Sequence, residues 1–398
     1  MAFRTPTSPG GTDMDFALAD EIADIRDAVR ALCARFPGEY WRELEPDRYP
    51  EEFVAELTRQ GWLAALIPEQ YGGSGLPLGA ASVILEEICA SGGNAGACHA
   101  QMYTMGTLLR HGSEEQKERY LPQIASGALR LQAFAVTEPG AGSDTTSITT
   151  RARRVDDGYV VDGQKIWTSR ALYSDLMVLL ARTTPLAEVA KKTDGLSVFL
   201  VDMRDQGDTL TIKPIRTMIN HATTEVFFDG LRLPADALIG EEGKGFRYIL
   251  DGMNAERILI AAECLGDGRF FLDRAVSYAS ERKVFGRAIG SNQGVQFPLA
   301  RAHMALQAAD LMRWKAAWLF ESGRPCAAEG NMAKFLASEG SWQAANSALD
   351  THGGFGFAVE YDVERKFRET RLYQIAPISN NLIQAFVGQH VLGLPRSY

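Results

Sequence analysis

Leu18, Ile22, Ile25, Val29 and Leu32 recur at spacings of four, three, four and three. That rhythm places them on one face of a helix. Similar apolar faces follow over Phe53–Leu63 and Ala81–Ala90. Between these two lies Pro68–Leu76, rich in glycine, which reads as a turn because no strand feeds it within a βαβ unit. From about Leu131 the rhythm changes. Tyr159–Val161 sits between Asp157-Gly158 and Asp162-Gly163, both tight-turn signals. Leu196–Val201, Leu210–Ile212 and Glu225–Phe228 are β-prone runs bounded by turn residues. Together they predict an antiparallel β unit ending near Ile239. Helical spacing resumes after Gly243-Lys-Gly245, and no proline interrupts Gly245–Phe285. Phe297–Leu319, Ala327–Leu349 and Leu382–Val391 continue the pattern. The predicted organisation is a disordered tail over 1–14, an all-α domain over 15–130, a β domain over 131–240 and a helical bundle over 241–398.

Composition narrows the function. The 398 residues carry a formal net charge of −9, with 46% hydrophobic and 23% charged positions. An acidic surface argues against a nucleic-acid partner, since phosphate binding needs concentrated basic charge. The short cluster Arg151, Arg153 and Arg154 reads as a solvated strand end. Five cysteines, scattered and never in a CxxC pair, predict reduced thiols and a cytoplasmic setting rather than a disulfide framework. Cys98 and His99 are adjacent, but no second ligand cluster stands near them, so packing is expected there and no metal site. The tail Met1–Asp13 lacks the apolar stretch of a secretion signal, and no run is long enough to span a membrane.

Phe134-Ala-Val-Thr-Glu-Pro-Gly-Ala-Gly-Ser-Asp144 carries the strongest chemical signal. A strand that ends in small residues exposes backbone N–H groups and hydroxyls at one spot, a surface suited to a planar polar ring edge. The segment resembles the TEPGAGSD signature of acyl-CoA dehydrogenases from Thr137 to Asp144. Asp162–Ser169, Glu281–Gly286 followed by Gln293, and His352–Phe357 resemble further segments of that family, in its order. The resemblance implies an N-terminal all-α domain, a middle antiparallel β domain and a C-terminal four-helix bundle, assembled as a homotetramer around FAD.

It also implies roles, residue by residue. Phe134, Val136 and Thr137 would contact the flavin, and Ser143 would sit by the thioester. Trp167 would cover a flavin face, with Thr168 and Ser169 near its reactive nitrogen. Arg282, Phe285 and Gln293 would hold the diphosphate and adenosine part of a neighbouring subunit's FAD. Asp350, Gly353 and Gly354 would approach that same cofactor, and Ser379 and Asn381 would offer polar groups to the cofactor from the C-terminal turn. The family's commonest base is a glutamate in that turn, where this chain has Pro377. Proline cannot take a proton. In the branch resembling isovaleryl-CoA and long-chain dehydrogenases the base precedes an arginine on the long helix, which Glu256 does here, with Asn254 and Arg257 beside it on the substrate. The implied activity is α,β-dehydrogenation of an acyl-CoA, with electrons passed to an electron-transfer flavoprotein. Loss of the usual glutamate keeps a same-fold desulfinase, monooxygenase or oxidase as an alternative, and a non-enzymatic flavoprotein as another.

Overall fold

The computed structural model describes residues 20–396. Leu18 and the tail read as disordered lie outside them. Six helices come first: α1 (Asp20–Cys33), α2 (Gly38–Glu43), α3 (Glu51–Arg59), α4 (Leu78–Ala90), α5 (Gly96–His111) and α6 (Glu114–Ala125). The helix foreseen over Phe53–Leu63 ends at Arg59, because Gly61 turns the chain at φ +82° into a short 3₁₀ turn. A capping box starts α6: Ser113 Oγ accepts from the Gln116 N–H, and the Gln116 side chain accepts from the Ser113 N–H.

The middle of the chain forms one eight-stranded sheet. Its strands are β1 (Leu131–Ala135), β2 (Arg151–Val155), β3 (Gly158–Ser169), β4 (Leu176–Arg182), β5 (Leu196–Asp202), β6 (Leu210–Pro214), β7 (Thr223–Pro234) and β8 (Leu238–Ile239). The order is β6-β7-β3-β2-β4-β5-β8, with β1 also on β4. Most pairings are antiparallel as expected, but β1 and β2 both run parallel to β4, so the sheet is mixed. Asp157-Gly158 does close the β2–β3 hairpin. Asp162-Gly163 does not turn the chain. It lies inside β3 at a register shift against β7, where Gly163 takes φ +145° and a Cβ would collide with Thr150. A bulge uses the same residues as a turn.

The remainder is α7 (Gly245–Glu281), a two-strand ribbon of β9 (Lys283–Val284) and β10 (Arg287–Ala288), α8 (Gln293–Glu321), α9 (Ala327–His352), α10 (Val363–Arg371) and α11 (Asn380–Phe386). The last expected helix, Leu382–Val391, is α11 continued by a π turn over Val387–Val391. One apolar core joins α1, α3, α4 and α5 to α7, α8 and α9. A second packs α5 and α6 on one face of the sheet, and a third lies on the opposite face. The N-terminal helices are therefore wedged between sheet and bundle, and α5 packs against both β1 and α7. All five cysteines are buried and unpaired. Among the described residues no helix is long and apolar enough to cross a membrane.

Candidate active site

The first wall is the seam between β1 and β3. Glu138, buried just after β1, accepts the Thr149 and Thr150 N–H groups at 2.7 and 2.9 Å and the Thr149 hydroxyl at 2.8 Å. Lys165 of β3 is wholly buried, and its Nζ donates to Glu138 Oε1 and to the Val136 carbonyl, both at 2.9 Å. The Ile166 N–H donates to the Thr137 carbonyl at 2.9 Å. Val136–Thr137 and Trp167–Ser169 are thus sewn side by side. A register shift between Ile166 and Thr168 puts Trp167 at φ +61° and leaves its indole 56% exposed. The Thr168 hydroxyl is fully buried and finds no partner among the described residues. Ser143 is exposed on the adjoining loop, and a Cβ at Gly140 or Gly142 would meet nothing within 4 Å. An open loop, a projecting indole and an orphaned hydroxyl form a surface that a flat polar ring system fits.

The second wall is α7. Glu256 is 7% exposed. Burial raises its proton affinity, the charges of His99 and Arg257 oppose that, and Glu263 adds to it, with no hydrogen bond among the causes. Tyr103 of α5 is pushed up by burial first and then by the charge of Glu256. The Tyr103 ring meets the Phe134 ring edge to face at 5.2 Å, and Glu256, being buried, does not face bulk solvent. Arg257 is buried and donates to Asn254 Oδ1 at 3.0 Å.

Sequence reasoning missed Glu263, two turns beyond Glu256 on the same helical face. It is buried, accepts the Tyr373 hydroxyl at 2.8 Å, and lies 2.8 Å from His99 Nδ1. The i,i+7 spacing was the available signal. His99, read as packing, is held beside a buried carboxylate. The C-terminal turn is also fixed: Lys334, wholly buried, donates to the Tyr373 and Ile378 carbonyls and to Asn380 Oδ1 at 2.5, 2.9 and 2.8 Å. Ser379 Oγ caps α11 by accepting from the Leu382 N–H, while Asn381 is exposed.

The remaining candidates gather elsewhere. An open groove of about 530 Å³ is lined by Tyr278, Arg282, Asp350, Gly353, Gly354 and Phe355, among others. Arg282 stands 5.9 Å from the Phe355 ring centre. Gly353 takes φ +57°, and nothing lies within 4 Å of where its Cβ would be. Phe285 is fully exposed at φ +52°, and Gln293 is exposed at the start of α8. Twenty-six residues separate Glu256 from Arg282, about 39 Å along a helix.

The N-terminal, middle and C-terminal domain models of acyl-CoA dehydrogenases match residues 19–128, 133–231 and 243–390. The chain belongs to the acyl-CoA dehydrogenase family. It is an FAD-dependent oxidoreductase that dehydrogenates acyl-CoA. It is 37% identical to acyl-CoA dehydrogenase FadE12 of Mycobacterium tuberculosis over 391 residues, 97% of this chain and 100% of the relative. A glutaryl-coenzyme A dehydrogenase in complex with glutaryl-CoA superposes with a TM-score of 0.88 at 29% identity, covering 96% and 98% of the two chains. A chain from work on the electron transferring flavoprotein of Acidaminococcus fermentans superposes with a TM-score of 0.88 at 28% identity, covering 95% and 100%.

Proposed function

We propose that this acyl-CoA dehydrogenase uses Glu256 to remove the α proton of an acyl-CoA thioester, giving the trans-2-enoyl-CoA. The observation that carries this is a buried carboxylate of raised proton affinity on α7, without a hydrogen bond among the described residues, whose charge also acts on Tyr103 beside Phe134. A base works best when its proton affinity approaches that of its surroundings at working pH, and burial moves Glu256 in that direction. FAD, when bound, takes the hydride from the β carbon. Thr168 and Ser169 face that group from β3, Trp167 shields one side of it, and Val136 and Thr137 present backbone to its polar edge. Ser143, Asn254 and Arg257 surround the thioester. Glu263 is the weaker candidate for base, because the Tyr373 hydroxyl and His99 already occupy its oxygens.

The cofactor site spans two subunits of a homotetramer in this reading. About 39 Å of helix is a long way for one FAD to bridge, so Arg282, Phe285, Gln293, Asp350, Gly353 and Gly354 serve the FAD of a neighbouring copy, while Ser379 and Asn381 face the cofactor from the C-terminal turn. The bare Phe285 ring supports a covering partner. Electrons leave to an electron-transfer flavoprotein, and the unpaired cysteines suit the cytoplasm.

Glu256→Gln tests the assignment, since it keeps size and hydrogen bonding but removes basicity. FAD content should persist while anaerobic flavin reduction by a thioester, followed by stopped flow, slows about 10²–10⁴-fold. A near-normal rate rejects Glu256 as the base.

A further inference from the structure

The reaction uses Glu256, yet the polar groups do not stop there. From the end of β1 the contacts run inward along α5: Phe134 to Tyr103 at 5.2 Å between ring centres, then Tyr103 to His99 at 4.9 Å. Along α7 the parallel series is Glu256, then Glu263. His99 is 7% exposed. Its Nδ1 lies 2.8 Å from Glu263 Oε1, an ion-pair contact without hydrogen-bond geometry. Its Nε2, on the other side of the ring, is buried and has no hydrogen-bond partner among the described residues. A buried polar atom left unpaired is costly, so a partner from outside the chain is expected. Glu263 is itself fixed by the Tyr373 hydroxyl, so the imidazole has a firm support behind it.

We propose that His99 Nε2 binds an oxygen on the substrate's acyl chain, so that the preferred thioesters are acyl chains carrying a hydroxyl or carbonyl well beyond the β carbon. This rests on the thioester-oxidising reading above, with the α carbon at Glu256. Glu256 and Glu263 are seven residues apart, about 10.5 Å along the helix. That distance spans several carbon–carbon bonds, which is why the oxygen lies toward the distal end of the chain. His99 acts on specificity, and it is not the group that removes the proton.

Two pairs of ligands separate this from the reaction itself. The enoyl products hex-2-enoyl-CoA and 6-hydroxyhex-2-enoyl-CoA cannot be dehydrogenated at the α and β carbons, so their binding to the FAD-loaded enzyme can be measured by titration calorimetry. The hydroxylated product should bind about tenfold more tightly, the size of one net buried hydrogen bond. His99→Leu should erase that ratio by weakening only the hydroxylated ligand, and His99→Gln, which keeps a polar end, should restore part of it. Equal binding of the two products by the unaltered enzyme overturns the proposal, since water then satisfies Nε2. So does a ratio that His99→Leu leaves unchanged. The saturated pair, hexanoyl-CoA and 6-hydroxyhexanoyl-CoA, reports on the reaction. If neither reduces the flavin while the product preference persists, the subsite stands and the dehydrogenation reading falls.

Discussion

Replacing Lys165 with Met removes a positive charge from the seam that holds the flavin-facing segments together. Lys165 is wholly buried and Glu138 is 5% exposed, so methionine fills the space while Glu138 keeps a charge with no opposite charge beside it. Breaking a buried pair on one side typically costs about 3–5 kcal/mol. Glu138→Gln should cost a comparable amount by stranding Lys165. The double variant, with neither charge, should lose clearly less than the two single losses added together. Acid sharpens the test. Burial opposes ionisation of Glu138, but Lys165 and the hydrogen bonds from Thr149, Thr150 and Lys165 outweigh it and hold the carboxyl at about 2, below its ordinary 4.5. A depressed carboxyl contributes stability that is complete above 4.5 and is lost as pH falls toward 2. In Lys165→Met burial acts with less opposition, so the carboxyl rises and protonation relieves the variant. The deficit should therefore shrink as pH falls through the raised value of the variant's carboxyl. Urea unfolding of the FAD-loaded protein, followed by tryptophan fluorescence between neutral pH and pH 4, measures this. A single-variant loss under about 0.5 kcal/mol, the size of an ordinary surface substitution, or strict additivity in the double variant, would refute the reasoning.

Arg282→Ala should release FAD more readily while leaving the urea midpoint unchanged, because it removes a charge-assisted contact to phosphate from an exposed position; equal loss of both assigns Arg282 to the fold. Light scattering should give the mass of a tetramer, and Phe285→Ser should shift it toward smaller species; a monomer that retains FAD would contradict the shared site. The reductive half-reaction should accelerate as pH rises through an apparent value above that of an ordinary glutamate, since Glu256 must be ionised to act and burial raises it. That step should be missing from the pH profile of Glu256→Gln.

What could be read from the chain depended on how each element is buried. In α1, Ile25, Val29 and Leu32 are buried while the opposite side is open, so a simple stripe announced it. Strand β4 is buried at every position, so Leu176–Arg182 shows no alternation and went unseen. The same holds for α5, whose first seven residues are all buried and whose apolar stripe is therefore absent. Residues of the site that sit in contiguous motifs, such as Thr137 and Trp167, were legible because neighbours in sequence share the chemistry. Glu138–Lys165 and His99–Glu263 were not, because their partners lie 27 and 164 residues apart and meet only when β3 reaches β1 and α5 reaches α7. Lys334 was equally hidden. Its acceptors are two carbonyls and one side chain of the C-terminal turn, and only the folded path brings them to α9.

The length of α7 has a genetic consequence. In the shared-site reading proposed above, Glu256 and Arg282 of one copy serve different flavins, because about 39 Å of helix separates them. A copy crippled at Glu256 can still lend its Arg282 to a neighbour, and a copy crippled at Arg282 can still supply its Glu256. Two alleles that are each inactive alone would then restore partial function when expressed together, because some mixed assemblies contain one site with both residues intact. Substitutions at Glu256 and at Arg282 would then belong to different complementation classes although they lie in a single gene.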